Sequence, residues 1–106
     1  MSITNTWTGI GNVGSNLELR STNSGHPVTS FSIACDRFRK DTEGNSIKDT
    51  DWVPVTVWGK LAERCSSHLS KGKKVAVSGR LMFRSYEKDG VPHKTAEVIA
   101  SDVKFL

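Results

Sequence analysis

The stretch from Thr50 to Arg64, TDWVPVTVWGKLAER, constrains the chain more than any other. It reads as a strand that runs into a helix. Val53, Val55 and Val57 alternate with Trp52, Pro54, Thr56 and Trp58. Successive side chains on a strand point to opposite faces, so the valines share one face and both tryptophans the other. A chain of 106 residues builds one small core. The valine face serves that core, which leaves two indoles on the wet side of a sheet. Large exposed apolar groups of this kind mark a surface that something else covers.

The segments on either side repeat the pattern. Asn5–Val13 reads as a first strand, with Gly9 and Gly11 marking a bend or bulge, and Leu17–Ser21 as its continuation after a turn at Gly14. Strands bent this sharply belong to small barrels. Thr22–Pro27 is a turn. In Val28–Phe38, Phe31, Ile33 and Cys35 face inward and Phe38 outward. Arg39–Asp49 is polar with a turn at Glu43-Gly44-Asn45 and reads as a long flexible hairpin loop between two long strands. After Gly59, LAERCSSHLSKG forms a short helix with Leu61, Cys65 and Leu69 as its apolar stripe. Gly72 is placed as its C-terminal cap, and Lys71, Lys73 and Lys74 complement the helix dipole. In Lys74–Tyr86, Val75, Val77, Leu81 and Phe83 face inward, opposite Arg80, Met82, Arg84 and Tyr86. Asp89-Gly90 marks a hairpin turn. Lys94–Ser101 is a last strand, and Val103 and Phe105 close the chain. The expected fold is all-β: a five-stranded OB-fold Greek-key barrel with one short α-helix between strands 3 and 4, as a single domain over residues 1–106.

Composition narrows the partner. Fifteen Lys and Arg against eleven Asp and Glu give a net charge of +4 and a pI near 9.3, which suits a polyanion. No run of 18 apolar residues is present to span a membrane, and MSITNTWTG lacks the blocks of a signal peptide. Cys35 and Cys65 form no CxxC, and His26, His68 and His93 have no metal-ligand spacing, so no metal or cofactor is expected. No nucleophile, phosphate loop or carboxylate pair stands out, so no catalysis is expected either.

Alternation thus puts Phe38, Trp52, Trp58 and Tyr86 on solvent faces. Arg80 and Arg84 share a strand face with Tyr86, Arg37, Arg39 and Lys40 flank Phe38 in sequence, and Lys60 follows Trp58. Lys71 and Lys73 serve equally as helix-end charges or as phosphate contacts. Rings interleaved with cations are what a single-stranded nucleic acid requires. A base stacked on an aromatic side chain is worth about 1–3 kcal/mol, and the phosphates between bases need positive charge. A second sheet, a partner subunit or the long loop could cover any one ring instead. Trp7 stands outside the pattern and is expected to pack at the first strand.

The segments TDWVPVTVWGKLAE, LSKGKKVAVSGRLMFRSYEKDG, TAEVIASDVKFL, GNVGSNLELRSTNSG and SFSIACDR together resemble the bacterial-type single-stranded DNA-binding proteins, from about Gly11 to Leu106. The resemblance implies an OB barrel assembled as a homotetramer, a dimer of dimers, in the cytoplasm with the nucleoid. It also implies a protein that coats single-stranded DNA in replication, recombination and repair without sequence preference. The family's stacking aromatics fall on Phe38, Trp52, Trp58 and Tyr86. The strand TWTGIG, which in the family helps build the dimer, is here more polar. Family members carry a flexible tail ending in acidic and aromatic residues that recruits replication enzymes. No such segment follows Leu106: either it has been trimmed or this is a short form that cannot recruit partners that way, so tail-mediated partners are in doubt. Two other readings use the same fold: a primosomal-type accessory protein acting through protein contacts, and an RNA-binding OB domain, since stacking alone does not separate RNA from DNA.

Overall fold

The computed structural model of the chain describes residues 4–106. Six strands and one helix follow in the order β1 (Trp7–Val13), β2 (Arg20–Ser21), β3 (Pro27–Lys40), β4 (Ser46–Trp58), α1 (Lys60–His68), β5 (Lys74–Lys88) and β6 (Val91–Phe105). The sheet runs β1-β5-β6-β4-β3-β2, and a further pairing of β1 with β3 closes five of the strands into a barrel. The β4–β6 pairing is parallel, and the other pairings are antiparallel. The segment expected to continue the first strand is a separate two-residue strand paired with β3. Counting this strand, the helix falls between β4 and β5, which are the third and fourth of the five barrel strands.

Closure depends on close backbone approach. β1 pairs with β5 over Trp7–Asn12 and with β3 at Asn12 and Val13. At Gly11 an added Cβ would lie 2.5 Å from the Ala34 carbonyl oxygen. The β5–β6 ladder shifts register at Ser78/Gly79, where Ser101 is the extra residue. The core holds Val13, Phe31, Ile33, Val55, Val57, Val75, Val77, Val98 and Val103, with Ala62, Cys65 and Leu69 from α1. The valine face of β4 is thus the core face. Trp7 packs half-buried against this cluster, its ring folded over Gly9.

Several expectations need correction. The polar segment 39–49 is mostly strand, because β3 and β4 pair as far as Lys40↔Ser46. Only residues 41–45 turn. The Asp41 carboxylate Oδ1 accepts the amides of Glu43 (2.9 Å) and Asn45 (2.8 Å), and Gly44 takes a positive φ of 83°. The helix ends at His68, with Leu69 already extended, so Gly72 does not cap it. Gly72 instead sits in the turn before β5, where Lys73 N–H donates to Ser70 O. Lys71 and Lys73 lie in that turn, past the helix's last turn, where the dipole acts weakly. The last strand runs unbroken to Phe105. Phe83 shares an alternation face with buried Val75 and Val77 yet is 71% exposed. The β5–β6 ladder runs past the core as an arm, so among the described residues that ring is left without core packing.

Candidate nucleic-acid interface

The outer face of the barrel is built by register. In the β3–β4 ladder Phe38 stands opposite Lys48, Ala34 opposite Trp52 and Val28 opposite Trp58. Lys40, Phe38, Lys48, Trp52 and Trp58 therefore share the face opposite the valines. The β5–β6 arm is set by Asp89 (φ 54°) and Gly90 (φ 76°), the positive pair that a two-residue hairpin turn needs. That turn places Tyr86 opposite His93, Arg84 opposite Thr95, Met82 opposite Glu97 and Arg80 opposite Ile99. Phe38, Trp52, Trp58 and Tyr86 are 72%, 61%, 45% and 50% exposed. Tyr86 stacks on His93, with ring centroids 5.4 Å apart and planes 19° apart.

A row of polar groups joins the two halves of this face. The Thr56 hydroxyl donates to Glu97 Oε2 at 2.8 Å, and the Ser30 hydroxyl lies 3.3 Å from that of Thr56. Arg84 pairs with the other oxygen of Glu97. Ser30, Thr56, Glu97 and Arg84 thus cross β3, β4, β6 and β5 in sheet order, which shows that one continuous face carries all four strands. Ser15, Ser30, Ser32, Pro54, Thr56 and Glu97 line a shallow cleft of about 310 Å³ on it.

The cations divide into two groups. Lys40, Lys60, Lys71, Lys73 and Arg80 are exposed. Arg84 reaches solvent but is paired with Glu97. Arg37 and Arg39 flank Phe38 in sequence but fall on the opposite face of the arm. There Arg37 bonds Asp51 (2.9 Å) and Asp49 (3.3 Å), and Arg39 bonds Asp49 (2.7 Å). The Arg39 hydrogen bond, with the charge of both guanidiniums, holds the Asp49 carboxyl below its usual range. Sequence reasoning missed Lys48, His93 and Glu97. Cross-strand register reveals all three, and the hairpin turns at Gly44 and Gly90 were the signal from which it could have been counted.

Cys35 and Cys65 are free thiols. Burial pushes the Cys65 thiol up to about 11. Burial, with the charges of Asp51 and Asp36, raises Cys35 as well. Among the described residues no group of three or more His, Cys, Asp or Glu could hold a metal ion, and no helix is long and apolar enough to cross a membrane.

Residues 4–106 match the Single-strand binding protein family. The chain belongs to that family. A single-stranded DNA-binding protein of Clostridium tetani is 45% identical over 100 residues, covering 92% of this chain and 66% of its own length. Single-stranded DNA-binding protein 1 of Chlorobaculum tepidum is 38% identical over 99 residues, covering 92% of this chain and 61% of its own. The chain thus spans about two thirds or less of these curated family relatives. Among solved structures, a Plasmodium falciparum SSB complex with ssDNA is similar at TM-score 0.90 and 29% identity, over 100% of this chain and 97% of that one. A deletion mutant of the single-stranded DNA binding protein from Thermus aquaticus is similar at TM-score 0.85 and 27% identity, over 96% of this chain and 50% of that one.

Proposed function

We propose that this chain binds single-stranded DNA without sequence preference, stacking bases on Phe38, Trp52, Trp58 and Tyr86. Lys40, Lys60, Lys71, Lys73, Arg80 and Arg84 meet the phosphates. The observation that carries this reading is the single outer face. Four exposed rings sit on one side of a barrel whose other side is the core, and the fold is that of a protein solved with ssDNA. Duplex DNA keeps its bases inside the stack, so such rings gain little from it. Unpaired bases offer each ring a π-face. The cellular role that follows is coating and protection of ssDNA in replication, recombination and repair.

A homotetramer belongs to the same proposal. Among the described residues, β1 pairs over Trp7–Ile10 with β5 alone, and Ile10 is exposed beside that open edge. An unpaired edge with an apolar side chain is a template for another strand.

Titration with dT oligomers of increasing length, followed by tryptophan fluorescence and light scattering, tests both parts. Binding should quench Trp52 and Trp58 while core-packed Trp7 changes little. Affinity should fall with salt at a slope of about −0.7 per phosphate neutralised. Unchanged fluorescence at saturating oligo-dT in low salt removes stacking, and a mass near 11.6 kDa removes the tetramer.

A further inference from the structure

We infer that Gly14 is the seat of Trp52, a positioning residue that fixes the indole for stacking. The inference rests on the stacking reading above. Trp52 projects from the middle of β4, and its solvent exposure suggests a ring free to swing. The loop after β1 shows otherwise. A methyl group placed on Gly14 would lie 2.6 Å from Cζ3 and 3.3 Å from Cη2 of Trp52. The far edge of the indole therefore rests on the Gly14 backbone, in space that only a missing side chain leaves open.

The backbone under the ring cannot retreat. Gly14 N–H donates to Ser32 O at 2.8 Å. Val13 N–H donates to Lys73 O, and Val13 O accepts from Gly72 N–H, both at 2.8 Å. Asn16 Oδ1 accepts from Lys71 N–H at 3.0 Å. Residues 13–16 are thus tied to β3 and to the turn that carries Lys71 and Lys73. Gly14 does not take the left-handed φ found at Gly25, Gly44, Gly59, Gly72 and Gly90. Alanine therefore fits the backbone at position 14, and its one consequence is displacement of the ring. The indole edge is the tip of an exposed side chain, so the fold yields it at little cost. Gly14→Ala is expected to move a stacking surface while leaving the barrel intact.

The same hydrogen bonds place the Lys71–Lys73 turn against the loop beneath Trp52. One short segment therefore joins a base platform to a pair of phosphate-binding candidates.

The test is a double-mutant cycle read by anisotropy of a labelled dT oligomer at one low salt concentration, with thermal melts alongside. Gly14→Ala should bind about three- to tenfold more weakly, within what one stacked base contributes. It should melt with the wild type. On a Trp52→Ala background, Gly14→Ala should cause no further loss, because the group it displaces is gone. With the shorter ring of Trp52→Phe it should bind as Trp52→Phe does alone. Wild-type affinity of Gly14→Ala, equal losses on both backgrounds, or a chain that no longer folds would each overturn the inference. A Trp52→Ala chain that binds as tightly as wild type would instead remove the stacking reading itself.

Discussion

Alternation along a strand identified the four outward rings because it needs only the chain's own period. It failed where the face beneath a residue depends on how far the core extends. Phe83 has the parity of buried Val77, yet it stands on the arm beyond the barrel. Arg37 and Arg39 were grouped with Phe38 because they are its neighbours in sequence. On a strand, immediate neighbours are on opposite faces, and Asp49 and Asp51 hold both guanidiniums there. Glu97 was invisible for a different reason: a carboxylate in the middle of a face that should attract phosphate contradicts the charge pattern. Its partners explain it. It fixes Arg84 and accepts from Thr56, which places a cation without leaving it mobile. Glu97→Gln should keep an acceptor for Thr56 while releasing Arg84. The pair is partly exposed on the arginine side, so stability should change by only about 1 kcal/mol or less. Affinity for oligo-dT should rise at low salt, and the salt dependence should steepen by up to one phosphate's share. Unchanged affinity and slope would show that Arg84 already reaches phosphate while paired to Glu97.

At the scale of the element, strand and turn positions followed from side-chain period and from Gly44, Asp89 and Gly90. Lengths were underestimated, because polar arm residues such as Arg39, Lys40 and Lys48 look like loop until a partner strand is known. The β3–β4 arm is held at its tip by Asp41 and along its back by Asp49. The backbone amide of Asn45, followed by those of Glu43 and Gly44 and the Asn45 side chain, holds the Asp41 carboxyl below its usual range. Both groups have folded values lowered from an unfolded value of about 3.9. Their contribution is therefore complete above that value and is lost as pH falls through the lower folded one. Amide hydrogen exchange by NMR should show Glu43 and Asn45 protected at neutral pH, with protection lost in acid below about pH 4. Asp41→Ala should abolish that protection at every pH and leave the core amides of Val55 and Val77 untouched. Equal protection in the variant would mean that the strands, not the carboxylate, close the turn.

For the molecule as a whole, the sequence pattern predicted a barrel but not how it shuts, since periodicity is silent about which strand meets which. Closure falls to β1, which leaves β5 and takes up β3 within two residues. Two glycines of this strand and its exit loop have opposite consequences, and comparing them tests the account. At Gly14 the obstructing atoms belong mainly to the tip of an exposed indole, which an added methyl group displaces toward solvent. At Gly11 they are the Ala34 carbonyl oxygen at 2.5 Å and carbon at 2.9 Å, both backbone within a paired strand. No rotamer relieves that contact, so β1 and β3 must separate where the barrel closes. Overpacking of this kind typically costs about 1–3 kcal/mol. For a chain of this length each kcal/mol lowers the midpoint by about 4–8 °C. Gly11→Ala should therefore melt roughly 5–20 °C below the wild type by calorimetry. Its affinity, measured well below that midpoint, should be less affected than its stability. Gly14→Ala should show the reverse. Equal melting of the two variants would mean that the β1–β3 junction is not what holds the barrel closed.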